Sequence, residues 1–277
     1  MATCPRNQLR KKRMTENNLP TEEESTTVTP VDISDIEITP AQFRSDVTAI
    51  LMDSMGGEGS IVRRARVSTE GAGSIEIPQR ILEGSDLGLL KWLYKHKHGT
   101  PFEGVEFEWY FEVPVFVSRQ IVKHRLSSIN EESGRYREMA GVFWIEPENR
   151  PLVQVGKTGD YNFQPGRPDQ LEAMQSLERM TAEAQWTNYQ KALAYGIAKE
   201  NARKILPFTI YTSMYFKANL RSMLNFCSLR KDWGPDATHP SKAQFEIAML
   251  TDIIAEEIKK KVPNVWDAFV ASGYEAV

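Results

Sequence analysis

The stretch KHRLSSINEESGR, residues 123–135, combines cationic side chains, hydroxyl groups and an amide in one short segment. Arg119 and Arg137 extend the positive charge on either side of it. Guanidinium groups match phosphate oxygens with paired hydrogen bonds, and serine hydroxyls satisfy further acceptors, so the segment suits an anionic ligand such as a nucleotide. The same composition is typical of a solvated helix face whose charges are balanced by neighbouring glutamates. Composition alone leaves both interpretations open.

The segment resembles the signature RHRxxSxNExSxR of the flavin-dependent thymidylate synthases, the ThyX family. Every fixed position matches except the first, where Lys123 replaces an arginine. Further segments resemble the family in its own order: MGGEGSIVRRARVS at 55–68, KHKHGTPFE at 95–103, ARKILPFTIYT at 202–212 and NLRSMLNFCSLR at 219–230. The similarity extends from about Val47 to the C-terminal helix. One departure follows Arg230. The segment KDWGPDATHPSKAQFEI is longer than the corresponding part of the family's usual LRxxxxAQxEI pattern, and it carries Lys242 where a histidine is common.

The resemblance implies an α+β fold in a single domain, in which a mixed or antiparallel sheet packs against a mostly helical half. It implies that the protein makes dTMP from dUMP by reductive methylation, with 5,10-methylenetetrahydrofolate as the carbon donor. FAD would mediate the transfer, and NADPH would supply the reducing equivalents. The working form in the family is a homotetramer with sites shared between subunits, so the residues of one site need not meet within one chain.

The resemblance also assigns roles to individual residues. Arg230 matches the arginine that ionises the pyrimidine, and it is the residue expected to be catalytic. The positions matched to dUMP contacts are Gln120, Lys123, Glu131, Ser133, Gly134, Arg135, Arg203 and Arg230. The positions matched to FAD contacts are His98, Thr100, Lys123, His124, Arg125, Glu131, Asn219, Arg221 and Asn225.

The expected reaction explains why an arginine is needed. The ring carbon of uracil is a poor nucleophile until negative charge develops on the pyrimidine, and a fixed positive charge beside the ring stabilises that anion. Arginine cannot be the base, because its pKa exceeds about 12, but Arg230 can hold an anionic uracil. Without the resemblance, Arg230 would be interpreted as a cation favoured by the dipole at a helix C-terminus.

Cysteine and metal chemistry are not expected. Cys227 lies among Leu224, Phe226 and Leu229, where a free cysteine behaves as a small apolar side chain and not as a nucleophile. The histidines do not form an HExxH motif, and neither Cys4 nor Cys227 has a partner at metal-ligand spacing. The sequence therefore predicts no metal site.

Periodicity and turn residues predict the main elements. Alternation in EFEWYFEVPVFV predicts a strand at 106–113 with one wet face, and Pro114 is placed to begin a helix that includes 115–125. The other predicted elements are a strand at 48–55 before a glycine turn and a helix start, a helix around 87–94 that ends near Gly99, and helices at 169–201, 209–230 and 242–261. A strand-bearing half followed by a helical half indicates an α+β protein.

Composition, net charge and cysteine content limit the classes of protein to which the chain can belong. Residues 1–40 are polar and are predicted to form a flexible extension, which leaves 41–277 as the catalytic domain. The formal net charge of -3 argues against a protein held to nucleic acid by bulk positive charge, and no run of about 18 apolar residues could span a membrane. Only two cysteines occur, so a reducing, cytoplasmic location is expected.

Two alternatives to the enzyme remain open on the sequence. A nucleic-acid-binding segment at 119–137 would need aromatic side chains between its cations for base stacking, and Tyr136 alone fits. A non-catalytic nucleotide- or flavin-binding protein of the same fold would be consistent with Lys123, because lysine keeps the charge of arginine but loses its planar fork.

Overall fold

A computed structural model describes residues 36–76, 83–158 and 160–277. The strands are β1 (Gln42–Arg44), β2 (Thr48–Met55), β3 (Glu106–Pro114), β4 (Ser128–Glu131), β5 (Val142–Trp144), β6 (Val153–Lys157), β7 (Asp160–Gln164) and β8 (Tyr211–Asn219). The α-helices are α1 (Glu58–Glu70), α2 (Gly84–Lys95), α3 (Val115–Ile121), α4 (Pro168–Ala194), α5 (Lys199–Ala202), α6 (Leu220–Arg230), α7 (Phe245–Lys261) and α8 (Pro263–Ala271). Short 3₁₀ turns occupy Gly71–Glu76, Thr100–Gly104, Arg203–Ile205 and Gly234–Asp236.

The predicted N-terminal extension lies outside the described residues up to position 35. Just after it, Thr39 is joined to α4 by hydrogen bonds. The Thr39 amide donates to Gln190 Oε1 at 2.8 Å, and Trp186 Nε1 donates to the Thr39 carbonyl at 2.8 Å. The segment leading into β1 is therefore held against the longest helix.

The main sheet has the strand order β2, β3, β8, β4, and all of its neighbouring strands are antiparallel. Along β3 the side chains of Phe107, Trp109, Phe111 and Val113 are fully buried, whereas the intervening residues are half-buried. Burying each such side chain stabilises the fold by about 1.5–3 kcal/mol. The predicted strand at 106–113 and the predicted α+β class are both confirmed.

The prediction of one buried helix over 209–230 was wrong. Residues 211–219 form β8, in which Thr212, Met214, Phe216 and Ala218 are buried in alternation against β3 and β4. The change to helix occurs at Asn219, whose side chain accepts a hydrogen bond from the Ser222 amide at 2.9 Å. An asparagine that caps a helix in this way marks its start, and this signal was available in the sequence.

Other helices were predicted to be longer than they are. The helix predicted at 169–201 ends at Ala194, and the chain turns at Gly196, whose φ of 78° is one that glycine adopts readily. The helix predicted at 115–125 ends at Ile121. The helix predicted from 242 begins at Phe245.

The helices α6 and α7 pack against the sheet, α8 packs against α2 and α7, and together they supply much of the core. Their fully buried members include Met223, Phe226, Ile254, Ile258 and Phe269. A buried carboxylate ties α1 to α8, since Glu58 accepts hydrogen bonds from the amides of Asn264 at 2.6 Å and Val265 at 3.2 Å. This contact satisfies amide groups at the start of α8 that have no partner within the helix.

Candidate active site

The basic triplet Lys123, His124 and Arg125 lies on the turn between α3 and β4. The His124 amide bonds to the Ile121 carbonyl at 3.0 Å, which closes a tight turn after the helix. The triplet is therefore not part of a solvated helix face, which was one interpretation of its charge. Together with one side of α6 it lines a cleft of about 500 Å³, called here the Arg230 cleft. Its lining residues are Lys123, His124, Arg125, Leu126, Phe216, Arg221, Ser222, Asn225, Leu229, Arg230, Ala276 and Val277.

Arg230 is held by two acceptors from the segment around the triplet. Its Nε donates to His124 Nε2 at 2.9 Å, and its Nη2 donates to the Gln120 carbonyl at 3.2 Å. Burial lowers the pKa of Arg230, yet arginine remains protonated at any physiological pH. No carboxylate of the described residues forms an ion pair with it. A partly buried positive charge therefore lies at the cleft without a protein anion beside it.

His124 is the neutral partner of that charge. Burial, and secondarily the Arg230 charge, lower the pKa of His124 from 6.5 to about 4. Its ring packs against Phe226, with the ring centroids 4.5 Å apart. Because Nε2 accepts from Arg230, the ring proton of the neutral form lies on Nδ1. His124 thus positions Arg230 and cannot act as an acid near neutral pH.

We expect the burial of neutral His124 to make the protein less stable in mild acid. The unfolded chain binds a proton at His124 below pH 6.5, whereas the folded chain does so only near pH 4. The free energy of unfolding should therefore fall across that window as the pH falls. His124→Asn keeps an acceptor for Arg230 but does not titrate. Urea unfolding at about pH 7 and about pH 5 should show a larger loss for the wild type than for His124→Asn. Equal losses would contradict the assignment.

Arg221 and Asn225, near the start of α6, and Arg230, at its end, line the cleft, while Asn219 caps the helix. Arg221 donates from Nη1 to Glu103 Oε1 at 2.8 Å and from Nε to the Val277 carbonyl at 3.1 Å. Gly99 is packed against the same guanidinium, because a Cβ at Gly99 would lie 2.6 Å from Arg221 Nε. The orientation of Arg221 is therefore fixed from three sides.

A second group of predicted residues lies apart from this cleft. It consists of Ser133, Gly134, Arg135 and Arg203 and is called here the Arg203 patch. A Cβ at Gly134 would lie 3.2 Å from Arg203 Cδ, so the two residues are in close contact. Arg135 Nε forms an ion pair with Glu200 Oε2 at 2.9 Å, and both side chains are about half exposed. None of these residues lines the Arg230 cleft.

The remaining predicted residues are distributed around these two groups. Glu131 ends β4, and its Oε1 accepts from Thr212 Oγ1 at 2.9 Å. His98 packs against Trp92, with the ring centroids 4.9 Å apart. Thr100 lines a different cleft, of about 370 Å³, with Arg63 and Arg64. Within one chain, the structure therefore does not gather all of the predicted dUMP and FAD residues at one point.

Several residues that the sequence analysis missed contact this machinery. The Gln120 side chain donates to Gln244 Oε1, and Thr251 Oγ1 donates to the Arg230 carbonyl at 3.0 Å. Gln244 lies in the segment after Arg230 that departs from the family pattern, so the sequence did not indicate its contact with Gln120. Glu103 and Val277 contact Arg221 from distant positions, and no local pattern indicated their proximity.

Cys227 is fully buried on α6. Burial raises the pKa of its thiol to about 12, so the thiolate that a nucleophile requires is scarce at neutral pH. We expect Cys227→Ala to leave the activity nearly unchanged and to cost on the order of 1 kcal/mol in stability. A steady-state assay with thermal unfolding of the same preparation checks this expectation. Complete loss of activity in a folded variant would revive a covalent role for the thiol.

Comparisons with known proteins show the family to which the chain belongs. The family model described as thymidylate synthase complementing protein matches residues 50–264. Flavin-dependent thymidylate synthases of Tropheryma whipplei (strain TW08/27) and Streptomyces coelicolor are both 38% identical to the chain. The first match covers 83% of this chain and 95% of that enzyme, and the second covers 84% and 94%. The chain belongs to the flavin-dependent thymidylate synthase family.

Solved structures of a nucleotide methylase share this fold. The UMP/dUMP methylase PolB from Streptomyces cacaoi is 35% identical to this flavin-dependent thymidylate synthase family member. Its structure bound with 5-Br UMP superposes with a TM-score of 0.78 over 86% of this chain and 100% of that one. Its structure bound with 5-Br dUMP gives a TM-score of 0.79 over 85% and 100%.

Two further observations on the described residues concern metal ions and membranes. Among the described residues, no group of three or more histidine, cysteine, aspartate or glutamate side chains is arranged to hold a metal ion. No helix in the same part of the chain is long and apolar enough to cross a membrane.

Proposed function

We propose that the protein catalyses the reductive methylation of dUMP to dTMP, with 5,10-methylenetetrahydrofolate as carbon donor and NADPH as reductant through FAD. The observation that carries the proposal is the guanidinium of Arg230, which is partly buried and bonded only to neutral acceptors in the described part of the chain. A charge held in this way can stabilise negative charge that develops on a uracil ring. Family membership supports the same reaction.

The residues of the Arg230 cleft fit a flavin dinucleotide. Arg221, Arg125 and Lys123 supply cationic donors for a pyrophosphate, and Asn225 supplies an amide on the same side of α6. The exposed side chains of Leu126 and Leu229 give the cleft apolar surface against which a ring system can pack. The flavin, when bound, would relay the one-carbon unit and the reducing equivalents. Lys123 would serve as a point charge at this site, since it lacks the fork of an arginine.

In this proposal the two arginine groups have different tasks. The Arg203 patch would bind the phosphate of dUMP, because Arg203 is exposed and Arg135 is half exposed, and the Ser133 hydroxyl lies 3.3 Å from the Arg135 amide. Gln120, Glu131 and Lys123 would complete the contacts to the nucleotide. Arg230 would hold the uracil ring as negative charge develops on it, and neutral His124 would keep Arg230 in place.

A homotetramer would bring these groups together. Arg203 and Arg135 do not line the Arg230 cleft of their own chain. A closed symmetric oligomer can place the Arg203 patch of one subunit opposite the Arg230 cleft of another, so that each site is complete only in the assembly. His98 and Thr100, which also lie outside the cleft, would reach the bound flavin in the same way.

The visible spectrum of the protein and the product of its reaction test the proposed function. The purified protein should show the visible absorption of a flavin, either as isolated or after addition of FAD. Anaerobic incubation with dUMP, methylenetetrahydrofolate and NADPH should then yield dTMP. A colourless protein that stays inactive with added FAD would refute the proposal. Bound flavin without any dTMP would instead favour a nucleotide-binding protein of the same fold.

A further inference from the structure

Residues 275–277 form a short segment whose backbone is held by side chains from α2, from the turn after it and from α6. Tyr94 Oη donates to the Glu275 carbonyl at 3.0 Å, and Lys97 Nζ donates to the Ala276 carbonyl at 2.9 Å. Arg221 Nε donates to the Val277 carbonyl at 3.1 Å. Three consecutive carbonyls are therefore bonded to side chains, and we call this segment the strap.

The course of the strap is fixed by the turn that precedes it. Gly273 and Tyr274 have φ values of 69° and 58°, which reverse the chain after α8. A Cβ at Gly273 would lie 2.3 Å from Thr238 Oγ1, so the turn is closely packed. Tyr274 stacks on Trp233 with the ring centroids 4.4 Å apart, and Val277 is only 7% exposed. The strap is thus anchored in the core at both ends.

The strap contributes to the Arg230 cleft directly. Ala276 and Val277 are among its lining residues. The Val277 carbonyl takes the Nε proton of Arg221, and Glu103 takes a proton of Nη1. Within the described residues, Arg221 Nη2 has no acceptor, which leaves that end of the fork free for an anionic group of a ligand.

The strap lies beyond the part of the chain that defines the family. The family model matches residues 50–264, whereas the strap begins at Glu275. Lys97, which bonds to both the Ala276 carbonyl and the Glu275 carboxylate, adopts a φ of 57°, a left-handed conformation that is uncommon for lysine. An unusual backbone conformation at the anchoring residue is consistent with a specific role for the contact.

We propose that the strap is a positioning element, which forms one wall of the cleft and orients Arg221 towards a phosphate group of the flavin dinucleotide. This inference rests on the proposed function for the identity of the ligand. It assigns to residues 275–277 a role that the family motifs do not include. Loss of the strap contacts would remove one of the three restraints on Arg221 and leave the Glu103 ion pair and the packing on Gly99. The flavin would then bind less tightly, because its binding must restore the order of that side chain.

The test compares Lys97→Met with Lys95→Met. Both changes remove one positive charge from the same end of α2, but Lys95 forms no ion pair or hydrogen bond with the described residues. A third variant, Tyr94→Phe with Lys97→Met, removes a further anchor. None of these residues lines the Arg230 cleft. Thermal unfolding and circular dichroism show which variants are folded. If the double variant does not fold, Lys97→Met, which changes an exposed position, still provides the test.

The first readout needs no ligand. Limited chymotrypsin digestion, followed by intact mass, gives the rate of cleavage after Tyr274 relative to cleavage after the exposed Phe208. That ratio should rise several-fold in Lys97→Met and further in the double variant, because local opening exposes the strap to the protease. Ratios equal to those of the wild type and Lys95→Met would overturn the strap as a held segment.

The second readout is the dissociation constant for FAD, measured by fluorescence. We expect it to rise about tenfold in Lys97→Met and not in Lys95→Met, since one charge-assisted hydrogen bond is lost from the strap. Faster cleavage with unchanged FAD affinity would overturn the positioning of Arg221. A wild-type protein that binds no FAD would defeat the proposed function instead, and the cleavage ratio would still decide whether the strap is held.

Discussion

Arg230→Ala is expected to lower kcat for dTMP formation by about 10²- to 10³-fold while flavin remains bound, which is the usual cost of removing one group that stabilises charge in a transition state. The Arg230 guanidinium bonds to His124 Nε2 at 2.9 Å and to the Gln120 carbonyl at 3.2 Å, so the free protein already holds it in place. Alanine removes the charge, and no other cation in the described chain contacts the same pair of acceptors. Steady-state kinetics and the flavin spectrum of one preparation measure both effects.

Two control variants separate this role from general loss of charge. Arg230→Lys keeps a positive charge but lacks the planar fork that holds the guanidinium between its two acceptors, so it should recover a minor part of the rate. Arg137→Ala removes an exposed arginine that contacts Glu132 at 3.4 Å, and it should leave kcat nearly unchanged. Normal turnover in folded Arg230→Ala would show that the charge acts elsewhere.

Arg203→Ala is expected to raise KM for dUMP by about 10- to 100-fold with a smaller change in kcat, which corresponds to one or two lost charge-assisted hydrogen bonds. Arg203 is exposed and packs across Gly134, so its guanidinium is available to a phosphate. The neighbouring Lys204→Ala is the matched control, because Lys204 Nζ bonds to Asn201 Oδ1 at 2.9 Å and lies outside the patch. The affinity for deoxyuridine, which lacks the phosphate, provides a further check.

An Arg203→Ala variant with a normal KM for dUMP would remove the phosphate role from the patch. A fall in kcat with unchanged KM would instead place Arg203 near the reacting ring. A comparable loss in Lys204→Ala would show that the effect comes from the fold of the 3₁₀ turn at Arg203–Ile205 and not from the guanidinium.

The sequence predicted the parts of the fold that local patterns determine. Alternating apolar residues identified β3, and the glycine turn after TAILMDSM identified the step from β2 to α1. It failed for β8, although Tyr215 and Lys217 alternate with buried residues there, because the strand runs directly into α6 without a glycine or proline between them. Asn219, which caps α6, was the local marker of that change, but the resemblance matched it to FAD contacts.

The residues of the candidate site were predictable in part, but most of their contacts were not. Residues near the signature were found by resemblance, and six of the predicted positions line one cleft in the structure: Lys123, His124, Arg125, Arg221, Asn225 and Arg230. The contacts of Arg221 with Val277 and of Gln120 with Gln244 were not predictable, because each joins segments far apart in the chain. The neutral state of His124 also depends on burial, which a motif does not report.

The central claim is that one complete site needs the Arg230 cleft of one subunit and the Arg203 patch of another. Arg203→Ala and Arg230→Ala chains, each almost inactive alone at low dUMP concentration, are co-expressed with different affinity tags and purified through both. Random pairing leaves about a quarter of the sites with both arginines intact, so we predict about a quarter of the wild-type activity in the mixed oligomer. Mixed oligomers that are no more active than the two separate variants would contradict the claim.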